Sequence, residues 1–137
     1  MNKLYIPGDL VSVYVGVKKY IVEVIGTENE NEVLSYQIKF PNGEIQYADK
    51  DNIVPIPLTL EILEKNGWVK DTHRHCLDEM PAEAYEKKDF PLTHFNVTFG
   101  KKRIQASHDC LFVRNLKYVS DLQHLLFGLG LNSEMEV

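Results

Sequence analysis

Cysteine is scarce in this sequence, with only Cys76 and Cys110 among 137 residues. Two cysteines are too few for the disulfide framework of a small secreted domain, so both are expected to be reduced thiols. The opening MNKLYIPGDL lacks the apolar core of a secretion signal, and no apolar run approaches the roughly 20 residues of a membrane helix. These absences predict a cytoplasmic protein with no membrane partner.

An excess of positive charge is also missing. Residues 1–57 carry five lysines against eight acids, and residues 58–137 carry ten basic against twelve acidic residues, which gives −3 and −2 and a total of −5. A protein that holds duplex DNA through its phosphates is expected to be clearly basic, so this class is disfavoured. Phosphate-binding loops, dinucleotide-binding glycine patterns and spaced carboxylate pairs are absent too, which argues against an enzyme.

Short alternating segments fill residues 1–57 and predict a small antiparallel barrel, closed or nearly closed. In LVSVYV the valines alternate with Ser12 and Tyr14, and VLSYQIKF alternates in the same way. The dipeptide Asn42-Gly43 predicts a hairpin with a type I′ turn, whereas TENENE is predicted to be a polar loop. The order of strands and turns is similar to that of Tudor and KOW domains, an analogy of fold that implies no function.

A short helix is predicted directly after the barrel. The prolines of IVPIP cannot donate to a strand ladder, so they are expected to end the last strand. Thr59 is a good N-cap and Asn66-Gly67 is a C-cap signal, which predicts a helix from Thr59 to Asn66 joining the two halves. Because two turns are not stable alone, Leu63 or Trp68 is expected to be buried.

Residues 58–137 are predicted to form a subdomain of helix, antiparallel sheet and helix. Strands are expected in GWVKD, PLTHFNVTF, RIQAS and CLFVRN, with another near Tyr85. A final helix is predicted from about Tyr118 to Leu129, with its leucine stripe packed on those strands and with Ser120, Asp121 and Gln123 facing away. The tail NSEMEV is expected to be loose. The fold class is therefore α+β, mostly β.

Two phrases carry a resemblance to a known group of proteins. IVPIPLTLEILEKNGW and KYVSDLQHLLFGLGL, in this order, resemble a family of short uncharacterised proteins common in Bacteroidetes genomes, phages and mobile elements. The resemblance covers nearly the whole chain and implies a β-rich fold and a mobile-element setting, but no activity. This sequence departs from the family in its last helix, where Ser120 replaces a usual histidine and His124 a usual asparagine.

Aromatic residues of the barrel are the first candidates for partner binding. Tyrosine suits half-exposed strands, but exposed rings of small barrels also stack on bases or hold cations. The one basic cluster, GKKR, is expected at a hairpin tip, where a solvated turn is the simpler explanation. The candidate residues are Tyr14, Tyr20, Tyr36, Tyr47, Lys101, Lys102 and Arg103.

Histidine and cysteine form two clusters whose residue types are those of a metal site or a thiol dyad. HRHC contributes His73, His75 and Cys76, and HDC contributes His108 and Cys110. Structural zinc sites usually show two clean ligand pairs, and a catalytic thiolate needs a positioned base; neither pattern is evident. We therefore predict no metal, no cofactor and no catalytic residue.

The sequence as a whole favours a non-enzymatic binding or adaptor module of phage or mobile-element origin, with an unidentified protein partner. The alternative is a nucleic-acid-associated accessory protein that uses the barrel aromatics and the basic hairpin. A metal-dependent enzyme is a more distant alternative. The oligomeric state is not predicted.

Overall fold

Two antiparallel sheets of five strands account for most of the structure. The computed structural model describes residues 5–30, 33–71, 83–87, 95–109 and 111–137. In chain order the strands are β1 (Leu10–Val15), β2 (Lys18–Glu30), β3 (Val33–Lys39), β4 (Ile45–Asp49), β5 (Ile53–Pro55), β6 (Val69–Asp71), β7 (Glu83–Glu86), β8 (Phe95–Phe99), β9 (Ile104–His108) and β10 (Leu111–Leu116). The helices are α1 (Leu60–Lys65) and α2 (Val119–Gly128). The predicted α+β class, mostly β, is confirmed.

The chain divides into two compact units. The first consists of Met1–Pro57 with Tyr118–Glu134, and the second consists of Leu58–Lys117 with Met135–Val137. The chain thus leaves the first unit after β5 and returns to it just before α2. Pro57 and Tyr118 form an antiparallel bridge, and the Val119 N–H donates to the Ile56 carbonyl at 2.8 Å.

The first sheet has the strand order β4-β3-β2-β1-β5. It is not a closed barrel, because no ladder joins β4 to β5 within the described residues, and the prediction of closure is wrong in this respect. A turn of 3-10 helix, Lys50–Asn52, separates these two edge strands. Strand β5 has only three residues and ends in Pro55, which has no N–H to give to a further ladder.

The core of the first sheet comes from the alternation that the sequence shows. Its nine buried apolar residues lie on β1 to β5 and just before β1: Tyr5, Val11, Val13, Val22, Val24, Tyr36, Ile38, Ala48 and Ile53. Strand β2 continues through the predicted polar loop TENENE as far as Glu30, where Thr27 pairs with Tyr36. Backbone pairing with β3 therefore overrides the polar composition of this segment.

The predicted β3–β4 hairpin is present, but its turn is not of type I′. The Phe40 carbonyl accepts from the Gly43 N–H at 2.9 Å, and only Gly43, at φ +91°, has a positive φ in this loop. Pro41 stands between them, and its ring holds φ near −65°. The chain therefore forms a three-residue loop that ends in a left-handed glycine.

Helix α2 belongs to the first unit, whereas the sequence had placed it on the strands of the second half. Its apolar stripe is buried as predicted, but Ser120 and Gln123, expected to face away, are 0 and 2% exposed. The Gln123 side chain accepts from the Leu10 N–H and donates to the Gly8 carbonyl, both at 2.9 Å. An apolar stripe predicts burial against a sheet without specifying which sheet, and these polar contacts select the first.

The second sheet has the order β10-β9-β8-β7-β6. The predicted strands are confirmed in their described parts, while residues 91–94 and Cys110 of the predicted strands lie outside the described residues. Strand β8 pairs with β9 so that Val97 lies opposite Ala106 and Asn96 opposite Ser107. One face therefore carries apolar side chains and the other carries polar ones. The register shifts between Phe112 and Arg114, which adds a bulge to the edge strand β10.

Helix α1 confirms the prediction for the segment after the prolines. Thr59 is its N-cap, with Oγ1 accepting from the Ile62 N–H at 3.2 Å, and Gly67 follows its end at φ +86°. Leu63 is fully buried and Trp68 is 3% exposed, with its ring centroid 6.4 Å from that of Phe95. Both side chains that the sequence expected in a core are therefore buried.

The tail predicted to be loose is bound to the end of α1. The Asn66 side-chain amide donates to the Glu136 carbonyl and accepts from the Glu136 N–H, both at 2.7 Å. Lys65 Nζ also donates to the Val137 carbonyl at 2.8 Å. A side-chain amide can thus pair with a peptide group as a second backbone would, which composition alone does not reveal.

Candidate functional site

A cavity of about 560 Å³ lies in the first unit. Strands β1 and β4 both line it, although β2 and β3 separate them in the sheet. The lining residues are Val13, Tyr14, Val15, Glu28, Ser35, Ile38, Phe40, Gln46, Tyr47, Ala48, Asp49 and Asn52.

Two of the four predicted tyrosines belong to this cavity. Tyr14 at the end of β1 is 49% exposed, and Tyr47 on β4 is 61% exposed. A single exposed tyrosine is ordinary on a strand, but here both exposed rings line one cavity. The structure therefore brings together two of the predicted candidates from distant strands.

The other two tyrosines do not line the cavity. Tyr36 is fully buried, its hydroxyl accepts from the Tyr5 N–H at 3.3 Å, and the two rings meet edge to face at 5.5 Å. Tyr20 is 37% exposed and stacks edge to face on Phe40, with centroids 5.7 Å apart. Tyr36 is consequently a core residue that cannot reach a partner. Tyr20 packs against Phe40, which lines the cavity.

Carboxylates supply the charge of the cavity. Glu28 and Asp49 are among its lining residues, which include no lysine, arginine or histidine. Asp49 lies two residues after Tyr47 on β4, so both side chains project from the same side of the strand. Asp49 and Glu28 are not among the predicted candidates, because their side chains come together only when β2 and β4 line one cavity.

The predicted basic cluster lies in the second unit. Lys101, Lys102 and Arg103 are exposed in the turn between β8 and β9, as expected for a hairpin tip. The barrel aromatics belong to the first unit. The two feature sets that the nucleic-acid alternative combines are therefore carried by different units.

A buried acid–base pair fastens α2 to the start of β1. His124 Nε2 lies 2.5 Å from Asp9 Oδ2, and the Asp9 side chain, 2% exposed, also accepts from the Ile6 N–H at 2.9 Å. Burial, with the nearby charges of Tyr36 and Asp9, raises the pKa of Tyr5 to about 12. The carboxylate orients the imidazole and satisfies a backbone N–H, so we interpret the pair as a structural contact of α2.

The histidine and cysteine clusters are only partly described. His73, His75, Cys76 and Cys110 lie outside the described residues, and His108 Nε2 is 3.8 Å from Asp109 Oδ2. In the described part of the chain no three His, Cys, Asp or Glu side chains are grouped so that they could hold a metal ion. The expectation of a metal-free protein stays a prediction.

None of the helices in the described ranges has the length and apolar character needed to cross a membrane. Comparison of the chain with protein-family models, with curated proteins and with solved structures gives no match.

Proposed function

We propose that this protein is a non-enzymatic binding or adaptor module, and that its first unit binds a cationic side chain of a protein partner in the cavity of Tyr14 and Tyr47. One observation carries the proposal: two exposed aromatic rings and two carboxylates line the same hollow, which has no basic lining residue. A phage or mobile-element origin is part of the proposal and is supported by the resemblance of the two sequence phrases.

The chemistry of the lining favours lysine or arginine as the bound group. An ammonium or guanidinium ion over a tyrosine face gains roughly 0.5–2 kcal/mol from the ring quadrupole, depending on how far it is desolvated. A neighbouring carboxylate such as Asp49 adds a charge-assisted hydrogen bond. The volume of about 560 Å³ is within the usual range of ligand pockets and accommodates one long side chain with its flanking backbone.

Nucleic acid is the less suitable occupant of this cavity. Bases can stack on exposed tyrosines, but single-stranded nucleic acids also require a positively charged groove for the phosphates. Glu28 and Asp49 have the opposite sign. The nucleic-acid alternative would therefore depend on Lys101 to Arg103, in the other unit.

The test compares arginine with its uncharged isostere. The ¹⁵N-labelled full chain is titrated with acetyl-Gly-Arg-Gly-amide and, separately, with the same peptide containing citrulline. We expect the arginine peptide to shift the amides of Tyr14 and of residues 46–49, and the citrulline peptide to leave them nearly unchanged, because only the charged group gains from the rings and carboxylates.

Two variants and one control locate the site. Tyr47→Ala and Asp49→Asn should each weaken arginine binding by about 3- to 10-fold, which corresponds to the loss of one cation–π or charged contact. Ile45→Ala, an equally exposed residue of the same strand that does not line the cavity, should leave the affinity unchanged. Equal shifts with arginine and citrulline, or shifts confined to residues away from the cavity, would refute the proposal.

A further inference from the structure

We propose that the outer edge of β10 is a second interaction surface, which takes an extended, acidic segment of a partner protein as an added strand. This surface is in the second unit and does not depend on the cavity of the first. It consists of β10 together with the basic residues at one end of the β8–β9–β10 sheet.

Strand β10 ends the order of its sheet, and only β9 pairs with it in the described ranges. The other edge of an end strand presents backbone N–H and C=O groups, which form a template for one more strand. Natural edges are usually protected by lysine, proline, inward charges or a bulge; β10 has the bulge and a single charge, Arg114, but no proline or lysine. Its bulge increases the local twist, so an added strand must be short.

Within the described residues, β10 is exposed from Leu111 to Asn115 and is buried at Leu116. Leu111, Phe112 and Val113 are 73, 58 and 40% exposed, although successive residues of a strand point to opposite faces. Singly exposed apolar residues are ordinary, whereas three in succession on a sheet edge are typical of an interaction surface. The occupant must therefore offer a backbone ladder and apolar side chains on both of its faces.

The charge around this edge is strongly positive. Residues 95–117 contain five basic residues and one acid, Asp109, which gives +4 within a chain of −5. Leu116 pairs with Ile104, so the β8–β9 turn with Lys101 to Arg103 lies at the same end of the sheet as Lys117. All five cations are exposed, which makes carboxylates the complementary partner groups.

These properties together favour an acidic peptide strand over the other occupants. Single-stranded nucleic acid matches the charge, but it leaves the backbone edge unpaired and has no use for Leu111 and Val113. A second copy of β10 matches the edge, but it brings a second segment of the same +4 charge to the interface. An extended acidic and apolar segment satisfies the ladder, the side chains and the charge at once.

The probe is acetyl-(Val-Val-Glu-Glu)₂-amide, which as a strand carries valine and glutamate on both faces, titrated into the ¹⁵N-labelled full chain. We expect micromolar binding that shifts the amides of residues 111–116 and weakens as salt is raised from about 50 to 500 mM, because the charges are exposed. The same peptide with lysine in place of glutamate should not bind. A version N-methylated at alternate residues, which cannot complete the ladder, should lose most of the affinity.

Matched variants separate this edge from general surface effects. Arg114→Glu and Phe112→Ala should each weaken binding of the acidic peptide at least about threefold, whereas Lys19→Glu and Phe127→Ala, which alter similarly exposed residues of the first unit, should not. The proposal is overturned if residues 111–116 do not respond or if the lysine peptide binds equally well. It is also overturned if a 15-residue oligo-dT binds this edge more tightly, or if sedimentation shows that a second copy occupies it.

Discussion

The two sheets have five strands each, but the side chains that they bury differ in polarity. The first has a core of nine apolar or aromatic side chains. The second also buries Asn96, Thr98 and Ser107 on its polar face, each at most 2% exposed, and their side-chain oxygens Oδ1, Oγ1 and Oγ have no hydrogen-bond partner among the described residues. A buried polar atom without a partner costs roughly 1–3 kcal/mol, so equal strand number does not imply equal stability.

In the first unit Ser120 Oγ also lacks a partner among the described residues, but Asp9 and Gln123 are hydrogen-bonded and hold its elements together. Asp9 and Gln123 together bind backbone groups of Ile6, Gly8 and Leu10, which fixes α2 against the start of β1. In the second unit stability depends more on the apolar contacts of Leu63 and Trp68. We therefore expect the second unit to exchange its backbone amides faster than the first.

The largest effect is expected for the tryptophan of the second unit. Trp68→Ala removes a ring that is 3% exposed and packed near Phe95, so the free energy of unfolding should fall by about 3–5 kcal/mol. Amide exchange across β7, β8 and β9 should accelerate accordingly. Phe112→Ala, which removes an exposed aromatic ring of the same unit, is the control and should change stability by less than about 0.5 kcal/mol. A loss below 1 kcal/mol for Trp68→Ala would show that the second unit has another core.

The hydrogen bonds by which Gln123 holds α2 against the start of β1 are tested by Gln123→Leu. The substitution preserves volume but leaves the Leu10 N–H and the Gly8 carbonyl without their buried partner, so stability should fall by about 2–3 kcal/mol. Faster exchange should be seen in β1 and β2. Gln46→Leu removes a glutamine that is exposed on β4 and should cost less than about 0.5 kcal/mol. Equal costs for the two variants would mean that α2 is held by its leucines alone.

Local patterns predicted the strands and helices well, because alternation and capping are encoded within a few residues. Thr59 and Asn66-Gly67 specified α1, and the prolines specified the end of β5. The placement of α2 and the carboxylates of the cavity depended on contacts between distant segments. Gln123 is polar and was predicted to face solvent, and only its contacts with Leu10 and Gly8 show why it is buried. Tyr36 was a predicted binding residue, but its ring packs against Tyr5 in the core.

The loss of stability at alkaline pH tests the burial of Tyr5. Burial raises the pKa of Tyr5 to about 12 from an ordinary value of 10.0, so between these values the folded state keeps a proton that the unfolded chain loses. The contribution of Tyr5 to stability is therefore complete below pH 10 and is lost as the pH rises toward 12. Urea unfolding at pH 9 to 12 should show a decline that is smaller in Tyr5→Phe. Identical declines in both proteins would exclude Tyr5 as the cause.

The smallest effect compares two threonines whose hydroxyls differ in bonding. Thr98 is 1% exposed and its Oγ1 has no partner among the described residues, whereas Thr59 Oγ1 accepts from the Ile62 N–H and caps α1. Thr98→Val keeps the shape and removes an unpaired polar atom, so it should be neutral or stabilise by up to about 1 kcal/mol.

Thr59→Val removes the N-cap and should destabilise by about 1 kcal/mol. Both variants replace threonine by valine, and both residues belong to the second unit. Chemical denaturation therefore compares their stability changes on one scale. Opposite signs would show that the hydroxyl's bonding, and not its removal, sets the stability change. A loss of 1 kcal/mol or more for Thr98→Val would show instead that its hydroxyl is satisfied in solution, and the contrast between the polar groups of the two sheets would then rest on Asn96 and Ser107 alone.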